Sequence, residues 1–227
     1  MEQEGVIKFD LRFTPAAPLP FVSLRELTAW RKILCQLELI GQDAKRYGGL
    51  GFGNVSQRLA PSGDFASNPA PLQGRGACLL TPFAITGTQT GHVRDLTEQH
   101  YATVTDADVS ANRIVAHGPV APSSESLTHA VLYQMDASVR YIYHVHSPLL
   151  WREAGHLGIP VTRADVAYGT PAMAEEVRRL SKEVAAWQQG IFAMGGHEDG
   201  VISFGETAEK TGIILLRYLA RAMVRNP

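Results

Sequence analysis

The sequence predicts one α/β domain in which helices cover a sheet. Three observations predict it. Several stretches carry apolar residues at helical spacing, short β-branched and aromatic runs bounded by Gly and Pro read as strands, and the two kinds alternate along the chain. No dinucleotide-type GxGxxG unit follows a first strand. The 227 residues, 45% hydrophobic and 19% charged, suffice for one domain with a sizeable core. With 21 basic and 22 acidic residues and no Lys/Arg run, the chain carries no electrostatic footprint for nucleic acid or an acidic membrane. Cys35 and Cys78 are the only cysteines, giving neither a disulfide framework nor a CxxC site, so a cytoplasmic location is expected. The acidic, alternating start MEQEGVIKFDLRF is unlike a signal peptide, and no apolar stretch approaches the roughly 20 residues of a membrane helix.

Taken in order, residues 1–22 read as a short edge strand and a Pro-rich arm. Ser23 is a candidate N-cap with Glu26 completing a capping box; Leu24, Leu27, Trp30, Ile33, Leu34, Leu37 and Ile40 then follow at helical spacing until Gly41. GGLGFGNVSQRLA begins Gly-rich and turns into a strand. Residues 61–76 form a Pro/Gly/Ser/Asn-rich loop insertion. ACLLTPFAIT is strand-like, TGTQTGHVRDLT is a loop into a short helix, and RIVAHG is a strand. SSESLTHAVLYQMD starts on a Ser cap and reads as a helix with Leu127, Ala130, Val131 and Tyr133 inward. VRYIYHVHS is a buried strand that stops at Pro148, and residues 171–190 form a helix from Pro171 to Gly190. IFAMGGHEDGVISFG gives two strands around a turn, and ETAEKTGIILLRYLARAMVRN is the closing helix.

The chemistry concentrates around that buried strand. Residues i and i+2 of a strand share a face, so His144 and His146 project side by side. The pair fits a divalent-metal clamp, and fits two hydrogen-bonded core histidines equally well. His197 in GGHEDG, and Glu125 at the start of the preceding helix, are the candidates to complete a three-histidine, one-carboxylate set. His129, four residues after Glu125, is a candidate brace for it or an ordinary helix-face histidine. His92, His100, His117 and His156 lie in polar or turn contexts and read as surface or local hydrogen-bonding residues. Three small-residue loops carry exposed N–H groups and hydroxyls suited to an anion: Gly53, Asn54 and Ser56; Thr86, Gly87, Thr88, Thr90 and Gly91; and Ser123 with Ser124.

In this order, GNVS, TGTQTG, PSSE with a following His, HVH, YGTP and a late Gly-flanked His before a long helix resemble the class II aldolase/adducin family, of the fuculose-phosphate aldolase type. The resemblance spans roughly residues 24–225. It implies a three-layer fold with a central, mainly antiparallel sheet flanked by helices on both faces, assembled as a homotetramer with sites at subunit interfaces. It implies Zn2+ held by His144, His146 and His197, with Glu125 as the acid/base that also touches the metal in the empty site. Mn, Co or Fe accept the same nitrogen and oxygen ligands. Gly53, Asn54, Ser123 and Ser124 match the family's phosphate-binding positions, with Thr88 or Thr90 equally placed to serve the TG segment.

The activity so implied is a lyase of carbohydrate metabolism. It cleaves or forms a C–C bond in a hydroxy-carbonyl, typically sugar-phosphate, substrate through a zinc-stabilised enediolate. Dehydratase, decarboxylase and epimerase relatives share the metal site, and Glu rather than Asp at position 125 leans away from the epimerases. Adducin-type members keep the fold as a non-enzymatic interaction module; the retained ligand set leans away from that. The chain departs from the pattern in three places. About 20 residues separate HVH from YGT, leaving no counterpart to the family's proton-donor tyrosine, for which Tyr168, Asp165 and Arg163 are the local candidates. GGHEDG replaces HHG and brings two acidic residues to the metal loop, and the 61–76 loop is an insertion.

Overall fold

A computed structural model of the protein describes residues 5–60, 81–183 and 187–225; the 61–76 insertion lies outside them. The chain runs β1 (Asp10–Pro15), α1 (Arg25–Gln36), β2 (Gly41–Gln42), β3 (Gly51–Phe52), β4 (Asn54–Arg58), β5 (Phe83–Thr86), β6 (Tyr101–Asp108) and β7 (Arg113–Gly118). It continues through α2 (Ser126–Met135), β8 (Tyr141–His146), α3 (Pro148–Leu157), α4 (Pro171–Ser181), β9 (Ile191–Ala193), β10 (Gly200–Gly205) and α5 (Ala208–Arg225). Eight strands form one sheet in the order β1-β7-β6-β5-β4-β8-β10-β9, and β2 pairs with β3 apart from it. Only β1 against β7 is parallel; the other pairings of the large sheet are antiparallel. The expected mainly antiparallel sheet is therefore present, with helices on both faces.

The two faces follow from the period-2 alternation of strand side chains. On β8, Tyr141, Tyr143 and Val145 join a core with Leu27 and Leu34 of α1, Leu150 of α3 and Leu215 of α5. Ile142 faces the other way, into a core with Leu127 and Val131 of α2 and Met173 and Val177 of α4. All six residues of β8 are buried, as a central strand covered on both sides requires. His144 and His146 share the face of Ile142, so two imidazoles interrupt the layer beneath α2 and α4.

Several expectations need correction. Ser23 does not cap α1: its Oγ donates to the Pro20 carbonyl at 2.7 Å, and a 3-10 turn over Phe21–Leu24 precedes the helix. Glu26 instead accepts from the Tyr141 hydroxyl at 3.1 Å. Ile33 faces outward within the helix, which stops at Gln36 and so leaves Leu37 exposed and Ile40 in the segment before β2. Three of these elements, the two-residue β2, β6 and α3, have no counterpart among those read from sequence. β6 is buried over its first four residues and bulges between Val104 and Asp106, so it shows no clean alternation. α3 does carry a signal: Ser147 accepts from the Leu150 N–H, Pro148 occupies the first turn, and Gly158 closes the helix in the left-handed region.

Arg31 of α1 ties this framework to the loop that follows β5. It is 1% exposed. Its guanidinium donates to the carbonyls of Thr90 and Arg94 at 3.0 Å each, of Gly91 at 3.3 Å, and of Val93. Arg31→Met keeps the stem but strips buried carbonyls of their donors. We expect a loss of about 2–4 kcal/mol, read as a lower midpoint in chemical denaturation.

Candidate metal and substrate site

The β8 strand ends against two segments that bring further polar groups to the same face. Asn54 of β4 pairs in register with His144, and Gly200 of β10 pairs with His146. The turn between β9 and β10 carries His197: its N–H donates to the Met194 carbonyl, and its own carbonyl accepts from Gly200. Glycine is needed just before it, since a Cβ on Gly196 would lie 2.0 Å from the Val166 carbonyl oxygen. Glu125 occupies the N-cap position of α2 rather than its first turn, without a side-chain cap bond.

The ligand-type nitrogens of His144, His146 and His197 all lie within 4.8 Å of one another. The Nε2 atoms of His144 and His146 are 3.1 Å apart, and Glu125 Oε1 is 3.5 Å from His197 Nε2. A tetrahedral ion with bonds of about 2.1 Å sets its ligand nitrogens about 3.4 Å apart, so one ion fits among the three rings. Their protonation fits too. Burial pushes His144 down to about 3 and holds His146 and His197 well below the usual imidazole range, which leaves the rings neutral as ligands must be. Glu125, His144 and His146 are fully buried, and His197 is 4% exposed.

This burial has a pH consequence for the metal-free protein. His129 is also held well below the usual range by burial. The unfolded chain protonates its histidines near pH 6.5, whereas the folded one keeps these four neutral. Stability is then full above about pH 6.5 and falls as the pH drops toward the folded values, by about 1.4 kcal/mol per pH unit for each group. Denaturation midpoints of metal-stripped protein should fall steeply between about pH 7 and about pH 5, and a flat profile would contradict the burial.

Next to the histidines the three small-residue loops meet in one cleft, lined by Gly51, Gly53, Asn54, Thr88, Ser123 and Ser124 among others. It encloses about 290 Å3 of empty space, its open mouth included, which suits a small group. The loop after β5 is zipped to the segment before α2: Thr88 N–H donates to the Ala121 carbonyl, and Ser123 N–H to the Thr86 carbonyl. Gly53 has φ +75°, and a Cβ there would lie 2.7 Å from Ile40. Gly91 lies so close to Gly41 that a Cβ would come within 2.1 Å of its carbonyl oxygen. Asn54 Oδ1 is buried with no hydrogen-bond partner among the described residues. Thr88 and Thr90 both line the cleft, and Thr90 Oγ1 donates to the Gly87 carbonyl.

Other candidates are sorted by the same geometry. Tyr168 is 1% exposed and its ring centroid is 4.4 Å from that of His197. Arg163 and Asp165 are not brought in: their side chains are 62% and 81% exposed. The extra acids of GGHEDG do not crowd the nitrogens either. Glu198 is exposed, and Asp199 Oδ2 accepts from the Tyr47 hydroxyl at 2.6 Å. Tyr47, whose ring sits 4.7 Å from His146, thus latches the turn that carries His197. His129 does not brace the Glu125 carboxylate. Its Nδ1 is 2.6 Å from Ser56 Oγ, which also meets the Tyr133 hydroxyl at 2.7 Å. His92, His100 and His156 lie away from the cluster, on local contacts or the surface. Sequence reasoning did not find Gly5, Gln89 or Tyr47 at the site, and nothing in local spacing announces them.

None of the curated proteins matches the chain. Solved structures share its fold. One L-fuculose 1-phosphate aldolase has 18% identity and a TM-score of 0.61, over 91% of this chain and 86% of its own. A sugar-phosphate aldolase from Thermotoga maritima has 17% identity and a TM-score of 0.55, over 88% of this chain and 95% of its own. YgbL from Escherichia coli, described as a putative aldolase/epimerase/decarboxylase, has 15% identity and a TM-score of 0.58, over 89% and 87%. The family model for the class II aldolase and adducin N-terminal domain matches residues 43–223, and the chain belongs to this family.

Proposed function

We propose that the protein is a metal-dependent lyase of the aldolase type, acting on a hydroxy-carbonyl substrate with an anionic end. One observation carries the reading: three neutral, buried imidazole nitrogens within 4.8 Å, with the Glu125 carboxylate 3.5 Å from one of them. A divalent metal bound by His144, His146 and His197, zinc by the chemistry of the donor set, supplies Lewis-acid polarisation of a carbonyl oxygen. Glu125 takes and returns the proton of the substrate hydroxyl as the C–C bond breaks or forms. Its burial keeps bulk water from competing for that proton. Gly53, Asn54, Thr88, Ser123 and Ser124 bind the anionic end through N–H groups and hydroxyls. Tyr168 walls the site beside His197, and the names of the aldolase structures above support the same reaction class.

The test is retro-aldol cleavage on a panel of hydroxy-ketone phosphates, with metal content measured after zinc is restored. Cleavage that tracks zinc occupancy is the expected result. Release of water or carbon dioxide without cleavage would instead assign a dehydratase or decarboxylase. Failure of the purified protein to take up metal would remove the reading altogether.

A further inference from the structure

The three candidate metal ligands are not held alike. His144 and His146 sit on β8, which is paired with β4 on one side and β10 on the other. A strand in mid-sheet fixes the spacing of its side chains. His197 comes from the turn between β9 and β10, so its approach to the other two depends on where that turn is pinned. At the far end of the turn Asp199 meets Tyr47. The near end is pressed against the segment 160–166. The Ala193 N–H donates to the Pro160 carbonyl at 2.9 Å, and the Thr162 N–H to the Ala193 carbonyl at 3.0 Å. The Gly195 N–H then donates to Thr162 Oγ1 at 2.9 Å. A Cβ on Gly195 would lie 2.2 Å from the Thr162 carbonyl oxygen, so the two backbones touch at this point. Thr162 is buried, and the residue after it is fixed in turn: the Arg163 N–H donates at 2.9 Å to the buried Glu176 carboxylate of α4.

Around Gly195 the Met194 N–H and the His197 N–H bond within the hairpin itself, to the Gly200 and Met194 carbonyls. The Gly195 N–H instead bonds to a side chain from outside it. We propose that Thr162 is a positioning residue for the metal: its hydroxyl fixes the entry of the turn, and with it the distance of His197 from the β8 pair. The inference rests on the metal site proposed above. Without the hydroxyl the Gly195 N–H loses its acceptor, and the turn finds another only by moving. His197 lies two residues on, so that movement carries its ring along. A bound ion then has to draw the turn back into place, which lowers the affinity. A residue that merely filled space here would leave the ion indifferent to its hydroxyl.

Thr162→Val keeps the size and branching of the side chain and removes the hydroxyl, whereas Thr162→Ser keeps the hydroxyl. Thr211→Val controls for lost stability, since it removes a buried hydroxyl that donates to the Thr207 carbonyl at 2.8 Å in α5. Zinc affinity is measured for wild type and the three variants by competition with a chromophoric chelator, beside the denaturation midpoints of the metal-free forms. Zinc binding should weaken about ten- to a hundred-fold in Thr162→Val and stay within about three-fold of wild type in Thr162→Ser and Thr211→Val. The visible absorption of the cobalt-loaded protein, strong for a tetrahedral site, should weaken in Thr162→Val and recover in Thr162→Ser. If Thr162→Val does not fold, Thr162→Ala carries the same comparison. Unchanged zinc affinity without the hydroxyl would overturn the proposal, as would an equal loss in Thr162→Ser or in Thr211→Val. Wild type that takes up no zinc would sink the metal site, and this inference with it; wild type that takes up zinc and ignores Thr162 would sink the inference alone.

Discussion

His144→Ala is expected to leave the purified protein without its metal and without activity. One of three protein nitrogens is lost, and the methyl group left behind ligates nothing. Affinity should fall roughly a hundred-fold or more, read as metal per chain after dialysis against a weak chelator. The substitution also opens a cavity beneath α2, since His144 is fully buried on that face. Both metal-free proteins must therefore be compared, and the variant should be about 2–4 kcal/mol less stable. The decisive difference is the response to added zinc. Wild type gains about 2.7 kcal/mol at a zinc concentration one hundred times its dissociation constant, and a variant weakened a hundred-fold or more gains about 0.4 kcal/mol or less at that concentration. A variant that lost stability but kept its metal would reduce the His144 and His146 pair to core residues.

Glu125→Gln separates the chemistry from the ligation. The amide matches the carboxylate in size, so the fully buried position still packs. It cannot take up and return a proton. kcat should drop by about a hundred- to ten-thousand-fold at unchanged zinc occupancy. If zinc content falls along with kcat, the carboxylate 3.5 Å from His197 acts chiefly as a ligand and the proton-transfer role must be reassigned.

The legible parts of the sequence were those with local periodicity. α5 and the β9–β10 hairpin stand where their patterns placed them; α4 begins at Pro171 as read but ends at Ser181, short of Gly190, and α2 starts behind Glu125 without the Ser cap. β6 did not announce itself because it is buried on both sides at its start and bulged in the middle, which erases the alternation that marks a strand. α3 was legible in Ser147, Pro148 and Gly158, but the same Pro148 also reads as the end of a strand. The residues brought together as a site divide in the same way. His144 and His146 share a face by strand geometry alone, and their motif order suggested Glu125 and His197. Gly5, Gln89 and Tyr47 reach the site only through strand pairing and loop packing, which leave no local trace in the chain. Exposure was equally illegible: GGHEDG looks uniformly acidic, yet Glu198 faces solvent while Asp199 is taken by Tyr47.

The parallel pairing of β1 with β7 joins residues about a hundred positions apart, with Asp10 opposite Arg113. β8, meanwhile, is sandwiched between β4 and a strand that begins at Gly200. Closing such long loops precedes any reward from the contacts they make, so this topology belongs with slowly folding, high-contact-order chains. A chain growing on the ribosome displays His144 and His146 well before His197 has been made. Until β10 docks, the edge of β8 stands open as a template for another strand. The three-histidine cluster is thus assembled late, and the vulnerable interval in the protein's life is the one between synthesis of β8 and synthesis of β10.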